Sequence, residues 1–222
     1  MKIVIFEPHP DDLLMGPGHV IFDWLEENHE IHIITITDGR ACFRKNPLLS
    51  KEISEEEVAE MRLDEARKAI EFLGISLDNL YLLEFPDSKA QKYVDDGIQK
   101  VKPIILDADR LVFPSDNNLH EDHQATHNIA IGAARELELK SCQYWIYLVP
   151  QYGRFNKDSE LKQITVELSE ERRKKMQEWL QIYQSQKLDR GVWKLYTRYL
   201  KYTKKMIYGI FDYEDMGKYY NF

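Results

Sequence analysis

KIVIFEPHPDD, residues 2–12, decides the fold. Lys2–Glu7 is a short β-branched run of the kind that makes a buried strand, and it stops at Pro8. Further along the chain the pattern repeats. Leu13–Asn28 reads as a helix with Gly16 and Gly18 near its start, and Glu30–Thr37 (EIHIITIT) as a second strand ending at the turn signal Asp38-Gly39. Gly39–Lys51 is expected to be a loop. The next helix is marked by a capping box, Ser54 with Glu57, and by Ala59, Leu63, Ala66, Ile70 and Leu73 at spacings of four and three. Gly74 then stands where a helix end favours a left-handed residue. Leu80–Phe85 is a third strand, Lys92–Ala108 a helix with a break or kink at Pro103, and Arg110–Pro114 a fourth strand. Asp122–Leu139 is a helix and Tyr144–Val149 a fifth strand. Strands alternating with helices of this length imply an α/β fold: a Rossmann-like, doubly wound, mostly parallel sheet with helices on both faces.

Beyond Pro150 the rhythm changes. A loop over Gln151–Asp158 leads to a strand over Gln163–Leu168 and to a charged helix capped by Ser169. The Tyr- and Lys-rich remainder supports a division into residues 1–190 and a C-terminal helical extension, 191–222. Trp193–Tyr208 mixes Lys194, Arg198, Lys201, Lys204 and Lys205 with aromatic and aliphatic residues. An anionic membrane surface or a subunit contact would suit it. A terminal helix packed by its aromatic side, with lysines in water, is the plainer reading, because charged stripes are usually solvated faces.

The 222 residues suit one domain with a full core. A net charge of −8 argues against a general nucleic-acid binder. The cysteines, Cys42 and Cys142, form neither a zinc knuckle nor a disulfide framework. The apolar run at residues 3–6 is too short for a signal-peptide core, and no stretch approaches the length of a membrane span. A cytoplasmic, soluble protein is expected, with homo-oligomerisation left open.

In the strand order 3-2-1-4-5 the first and fourth strands are neighbours, and their C-terminal ends flank the crevice where such folds bind ligands. Two unusual segments follow those strands: Glu7-Pro8-His9-Pro10-Asp11-Asp12 and Asn117-Asn118-Leu119-His120-Glu121-Asp122-His123. A catalytic zinc takes three protein ligands from His and carboxylate, and His9, Asp12 and His123 can supply them. Asp11 is then placed as general base, His120 as the group that stabilises an oxyanion or protonates the leaving nitrogen, and Asp122 as the partner that fixes the His120 tautomer. His123 and His127, four apart on a helix, are either a surface pair or an alternative metal pair. A lone Asp-Asp at a helix start is ordinarily just a cap; the joint occurrence at two converging strand ends is what points to chemistry.

The Pro8–Asp12 and His120–His123 segments resemble those of the PIG-L/LmbE-type zinc-dependent N-deacetylases. Thr37-Asp38-Gly39, the Arg62-bearing helix with Glu65 and Ala69, and Tyr183-Gln184-Ser185-Gln186 are similar to further stretches of that family, so the resemblance covers most of the chain. Two positions depart from the pattern: Leu13 where Glu is frequent, and Glu121 within the His-x-Asp-His segment. The resemblance implies a Rossmann-like fold and one zinc per chain on His9, Asp12 and His123, with iron or cobalt able to use the same donors. It implies Asp11 as base, His120 as acid or oxyanion group, and Arg62 as a substrate contact; Asp87, after the third strand, is a weaker candidate for a sugar hydroxyl. The implied activity is hydrolysis of an N-acyl, expectedly N-acetyl, group from a small-molecule amino sugar or glycoconjugate. The rivals are a zinc phosphoesterase, which would want a second metal, and a non-catalytic sugar- or nucleotide-binding module. No GxGxxG follows the first strand, which speaks against dinucleotide binding.

Overall fold

A computed structural model describes residues 1–149 and 162–216. The described elements are β1 (Lys2–Glu7), α1 (Asp12–Met15), α2 (Gly18–Glu26), β2 (Glu30–Thr37), α3 (Leu49–Glu52), α4 (Glu55–Phe72), β3 (Leu80–Phe85), α5 (Val94–Ile105), β4 (Arg110–Pro114), α6 (Glu121–Glu136), β5 (Gln143–Tyr147), β6 (Lys162–Glu167), α7 (Glu170–Leu180), α8 (Gln184–Leu188), α9 (Arg190–Tyr202) and β7 (Lys205–Phe211). The sheet order is β3-β2-β1-β4-β5-β7-β6. The five strands from β3 to β5 pair in parallel, as the alternating pattern predicts, and β7 runs antiparallel between β5 and β6.

Strand β1 explains why its sequence is a continuous apolar run. Ile3 and Ile5 face one core, with α1, α2, α7 and α9, while Val4 and Phe6 face the other, with α5 and α6. A strand covered on both faces has no solvent side to make polar. On α4 the capping box is present as expected: Ser54 accepts from the Glu57 N–H, and Glu57 accepts from the Ser54 N–H at 2.9 Å. Its inward face differs from the apolar stripe read from the sequence. Arg62 and Glu65 are buried on it beside Ala59, Ala66 and Ile70, whereas Leu63 is only half-buried. Those two buried charges face the site described below.

Three expectations are corrected. Leu13–Asn28 is two helices, because Pro17 cannot donate to the preceding turn and instead starts α2. Pro103 does not break its helix: α5 runs through it to Ile105, only two residues further, so little helix depends on the hydrogen bond that the proline cannot donate. Trp193–Tyr208 is not one helical segment: α9 ends at Tyr202, and Lys205–Phe211 is a strand. The change of period at Thr203 marks it, since Tyr196 and Leu200 are buried at helical spacing and Met206, Tyr208 and Ile210 at alternate positions. β7 therefore lies inside the sheet, hydrogen-bonded on both sides. The short helix α3 and a 3₁₀ turn at Arg40–Phe43 occupy the stretch expected as a loop. The loop expected over Gln151–Asp158 lies outside the described residues, as do the last six positions of the chain. No described helix is long and apolar enough to cross a membrane.

His19 on α2 is 1% exposed, and neither of its ring nitrogens has a hydrogen-bond partner among the described residues. Burial, with the Arg173 charge nearby, pushes its pKa down to about 4. In the unfolded chain it returns to its ordinary value of 6.5. Between those values the unfolded state binds a proton that the native state refuses, so stability falls as pH drops through that window. The loss is on the order of 3 kcal/mol by pH 4. His19→Leu should flatten the acid limb: urea midpoints at pH 7 and pH 4.5 should differ less for the variant than for the parent. An equal acid loss in both would show that His19 is not responsible.

Candidate metal and acid–base site

The C-terminal ends of β1 and β4 lie side by side, and the two His/Asp segments meet above them. The first loop is fixed by its own backbone and by β2. Asp12 N–H donates to His9 O at 3.0 Å, and both the backbone N–H and the hydroxyl of Thr37 donate to Pro8 O. Glu7 accepts from Leu13 N–H at 3.0 Å and from the Thr35 hydroxyl at 2.6 Å, tying the end of β1 to α1 and β2. Burial pushes the Glu7 carboxyl up to about 8, against those two hydrogen bonds. The neutral form of Glu7 is thereby favoured beside Asp11 and Asp12, whose charges push the same way.

His9, Asp12 and His123 bring one donor atom each within 4.8 Å of one another, all buried. His9 Nδ1 is 2.9 Å from Asp12 Oδ2, and His123 Nε2 is 3.3 Å from the same oxygen. Each imidazole is steered from its far side. His9 Nε2 lies 3.2 Å from Asp122 Oδ2 and 3.6 Å from Asp87 Oδ1, which keeps Nδ1 turned toward Asp12. The Asn118 amide sits 3.1 Å from His123 Nδ1, so Nε2 faces the cluster. Burial opposes a charged His9, but Asp87, Asp12 and Asp122 raise its pKa well above the ordinary value. Asp12 is likewise penalised by burial and held low by His123 and His9.

Asp11 and His120 flank this triad. Asp11, 4% exposed, accepts from Arg62 Nη2 at 2.5 Å on Oδ1 and from the Tyr196 hydroxyl at 2.7 Å on Oδ2. The His120 ring meets the His9 ring edge-on at 4.8 Å between centroids. Its Nδ1 accepts from the Asp122 N–H at 3.3 Å as the N-cap of α6, which leaves the proton of the neutral ring on Nε2. Burial, then the positive charges of His9 and His123, pushes His120 down to about 4. A pocket of about 500 Å³ opens above; His9, Asp11, Asp12, Arg62, Asp87 and His120 line it together with residues of α9.

The structure brings His9, Asp11, Asp12, Arg62, Asp87, His120, Asp122 and His123 to this one place. Asp122 stands in a different relation from the one expected. Its carboxylate accepts from the N–H groups of Ser88 and Ala90 and meets His9 Nε2, while its backbone N–H is what meets His120. Asp87 accepts from Ala41 N–H at 3.1 Å and from the Ser88 hydroxyl, so it also fastens the loop after β3. Arg62 is directed at Asp11. His127 belongs to neither arrangement: its Nδ1 is 2.9 Å from Pro114 O, and its ring packs edge-on against Phe113. Sequence reasoning missed Asn118 and Tyr196. Asn118 stood within the quoted segment two residues before His120, a signal that was there to use; Tyr196 had none, being one of thirteen tyrosines.

Gly39 explains how Arg62 is held. It has φ +69°, and a Cβ there would lie 2.2 Å from Arg62 Nε. Gly74 has φ +72° with nothing within 4 Å of a built Cβ. Gly39→Ala and Gly74→Ala thus share the backbone penalty of about 1 kcal/mol, and only the first displaces the guanidinium from Asp11. Gly39→Ala should cost at least about 1 kcal/mol more in urea unfolding than Gly74→Ala. Equal costs would show that the guanidinium yields freely.

The GlcNAc-PI de-N-acetylase (PIG-L) family model matches residues 4–134. The diacetylchitobiose deacetylase of Thermococcus kodakarensis is 28% identical over 111 residues, 47% of this chain and 39% of that protein, so the chain spans well under half of that relative's length. Among solved structures, the zinc-inhibited form of a teicoplanin deacetylase superposes with a TM-score of 0.72 at 13% identity, covering 97% of this chain and 100% of that one. The N,N′-diacetylchitobiose deacetylase from Pyrococcus horikoshii gives 0.71 at 16% identity, covering 97% and 85%. At such identities the superpositions establish the fold, while the family model covers more than half of the chain and both His/Asp segments. The chain belongs to the PIG-L family.

Proposed function

We propose that this protein is a zinc-dependent N-deacetylase, releasing acetate and a free amine from an amino-sugar-containing substrate. The observation that carries the reading is Asp11, held beside a buried His9–Asp12–His123 triad at the floor of an open pocket, with the His120 ring opposite. Two imidazoles and one carboxylate converging on a point suit a single divalent cation such as zinc, iron or cobalt. The similar proteins, deacetylases of diacetylchitobiose and of teicoplanin, support an N-acetylated sugar or glycoconjugate as substrate. The compartment we favour is the cytoplasm.

Zinc held by His9, Asp12 and His123 would supply Lewis acidity toward the amide carbonyl and toward water. The remaining work falls to this chain's own groups. Asp11 takes a proton from the attacking water as the new C–O bond forms. His120 Nε2–H donates to the carbonyl oxygen as it becomes negative; a neutral ring suffices for that role. The tetrahedral carbon then expels the nitrogen, which receives the proton from Asp11. Asp122 and Asp87 keep His9 oriented, and Arg62 keeps Asp11 in place.

Elemental analysis of the zinc-loaded chain should find one equivalent of metal, most of it lost in His123→Ala. Asp11→Asn should retain the metal while amine release from N-acetylglucosamine or N,N′-diacetylchitobiose falls about 10²-fold or more. A parent that retains no metal, or an Asp11→Asn variant with parental turnover, refutes the assignment.

A further inference from the structure

Asp11 stands at the N-cap position of α1, where an aspartate ordinarily spends its carboxylate on the backbone N–H groups of the first turn. Here it makes no such bond. Both oxygens are turned instead to side chains brought from far along the chain: Arg62 of α4 on Oδ1 and Tyr196 of α9 on Oδ2. We propose that Tyr196 is a positioning residue of the reaction, its hydroxyl fixing the plane of the Asp11 carboxylate from which the base acts. This rests on the deacetylase reading for its catalytic consequence.

A carboxylate held by one guanidinium nitrogen can still turn about its Cβ–Cγ bond, a soft, roughly two-fold torsion. A second donor on the other oxygen removes that freedom. A phenol suits the task because it donates a single hydrogen bond and adds no charge, leaving Asp11 able to accept a proton. Burial, together with the charges of Asp11 and Asp12, raises the Tyr196 pKa well above its ordinary value, so the group remains a donor.

The helix that carries Tyr196 is tied at both ends. Asp189 caps its start, accepting from Gly191 N–H at 2.8 Å and Val192 N–H at 3.2 Å, and is itself held by the Asn46 amide at 3.0 Å. At its end, Arg173 of α7 donates to Leu200 O and, at 2.9 Å, to Thr203 O. Three residues later the chain enters β7, inside the sheet. The Tyr196 ring is 5% exposed, so its position is settled by packing before the hydroxyl is considered. The triad, Asp11, Arg62, Asp87, His120 and Asp122 lie within 4–134, the span of the family match; Tyr196 lies outside it. The matched region alone therefore leaves the base held on one side only.

Tyr196→Phe keeps the ring and removes only the hydroxyl. We would compare zinc-loaded parent and variant by crystal structure, metal content, thermal midpoint and steady-state kinetics on N-acetylated sugars. The expected result is full metal, an Asp11 carboxylate rotated or split between rotamers, and kcat lower by about tenfold or more with KM nearly unchanged. An unmoved Asp11 or parental kcat overturns the proposal. So does a loss shared equally between kcat and KM with a collapsed thermal midpoint, the mark of a merely structural tyrosine. Should the parent itself release no amine from any sugar tested, the deacetylase reading fails separately, and the Asp11 rotamer in the variant still decides whether Tyr196 positions it.

Discussion

Charge taken out of water must find a partner, and that constraint organises this molecule from the sheet outward. Asp11, Asp12, Asp87 and Asp122 are buried under one pocket, and such carboxylates are expensive unless paired and hydrogen-bonded. The chain answers each by position. Arg62 and Tyr196 face Asp11, His9 and His123 face Asp12, and the N–H groups of Ser88 and Ala90 face Asp122. Glu7 is met by the Leu13 N–H and the Thr35 hydroxyl, and burial shifts its carboxyl toward the neutral form. Two imidazoles shared among several carboxylates form a cluster electrically suited to a bound cation, and the same shortage of positive charge raises the His9 pKa against the cost of burial.

The loops that carry these groups are not free to choose other shapes. Asp38 accepts from the N–H of Asp87, so the turn after β2 is fastened to the loop after β3. Asp122 fastens that second loop to the start of α6. Glu65 accepts from both the N–H and the hydroxyl of Ser185 at 2.6 Å, joining α4 to α8 beneath the pocket wall. Each bond crosses between crossover units of the sheet. The site is thus preorganised by polar contacts that β-strand pairing alone would not provide.

This division explains what could be read in the sequence. The strands β1 to β5 and the capping box of α4 follow from period and local chemistry, which one segment carries by itself. The convergence of His9 with His123 followed from topology, because parallel order places β1 beside β4. What escaped reading depends on contacts across the molecule. Asp122 looked like a partner for His120 because they are near in sequence, yet its carboxylate turns toward His9, more than a hundred positions away. Arg62 and Glu65 interrupt an apolar face for the sake of Asp11 and Ser185, which no helical periodicity announces. β7 was concealed because its alternation begins only three residues after a helix of similar composition, and Tyr196 because a buried tyrosine shows its acceptor only once folded.

The floor and the walls of the pocket answer to different demands. The floor comes from the ends of β1 and β4 and from α4, segments whose spacing is fixed by the sheet. The walls come from Ala41–Lys45 and from α8 and α9, which contribute Arg44 and Lys45, and Val192 and Leu195. The walls thus combine cationic and apolar side chains above the buried His/Asp cluster. Changes in those walls can therefore alter which substrate is admitted without disturbing the charges beneath. Tyr196 is the exception, since it stands on a wall helix while its hydroxyl reaches the floor. A displacement of α9 would be felt directly at Asp11, so this wall helix and the buried carboxylate beneath it are mechanically linked through one side chain.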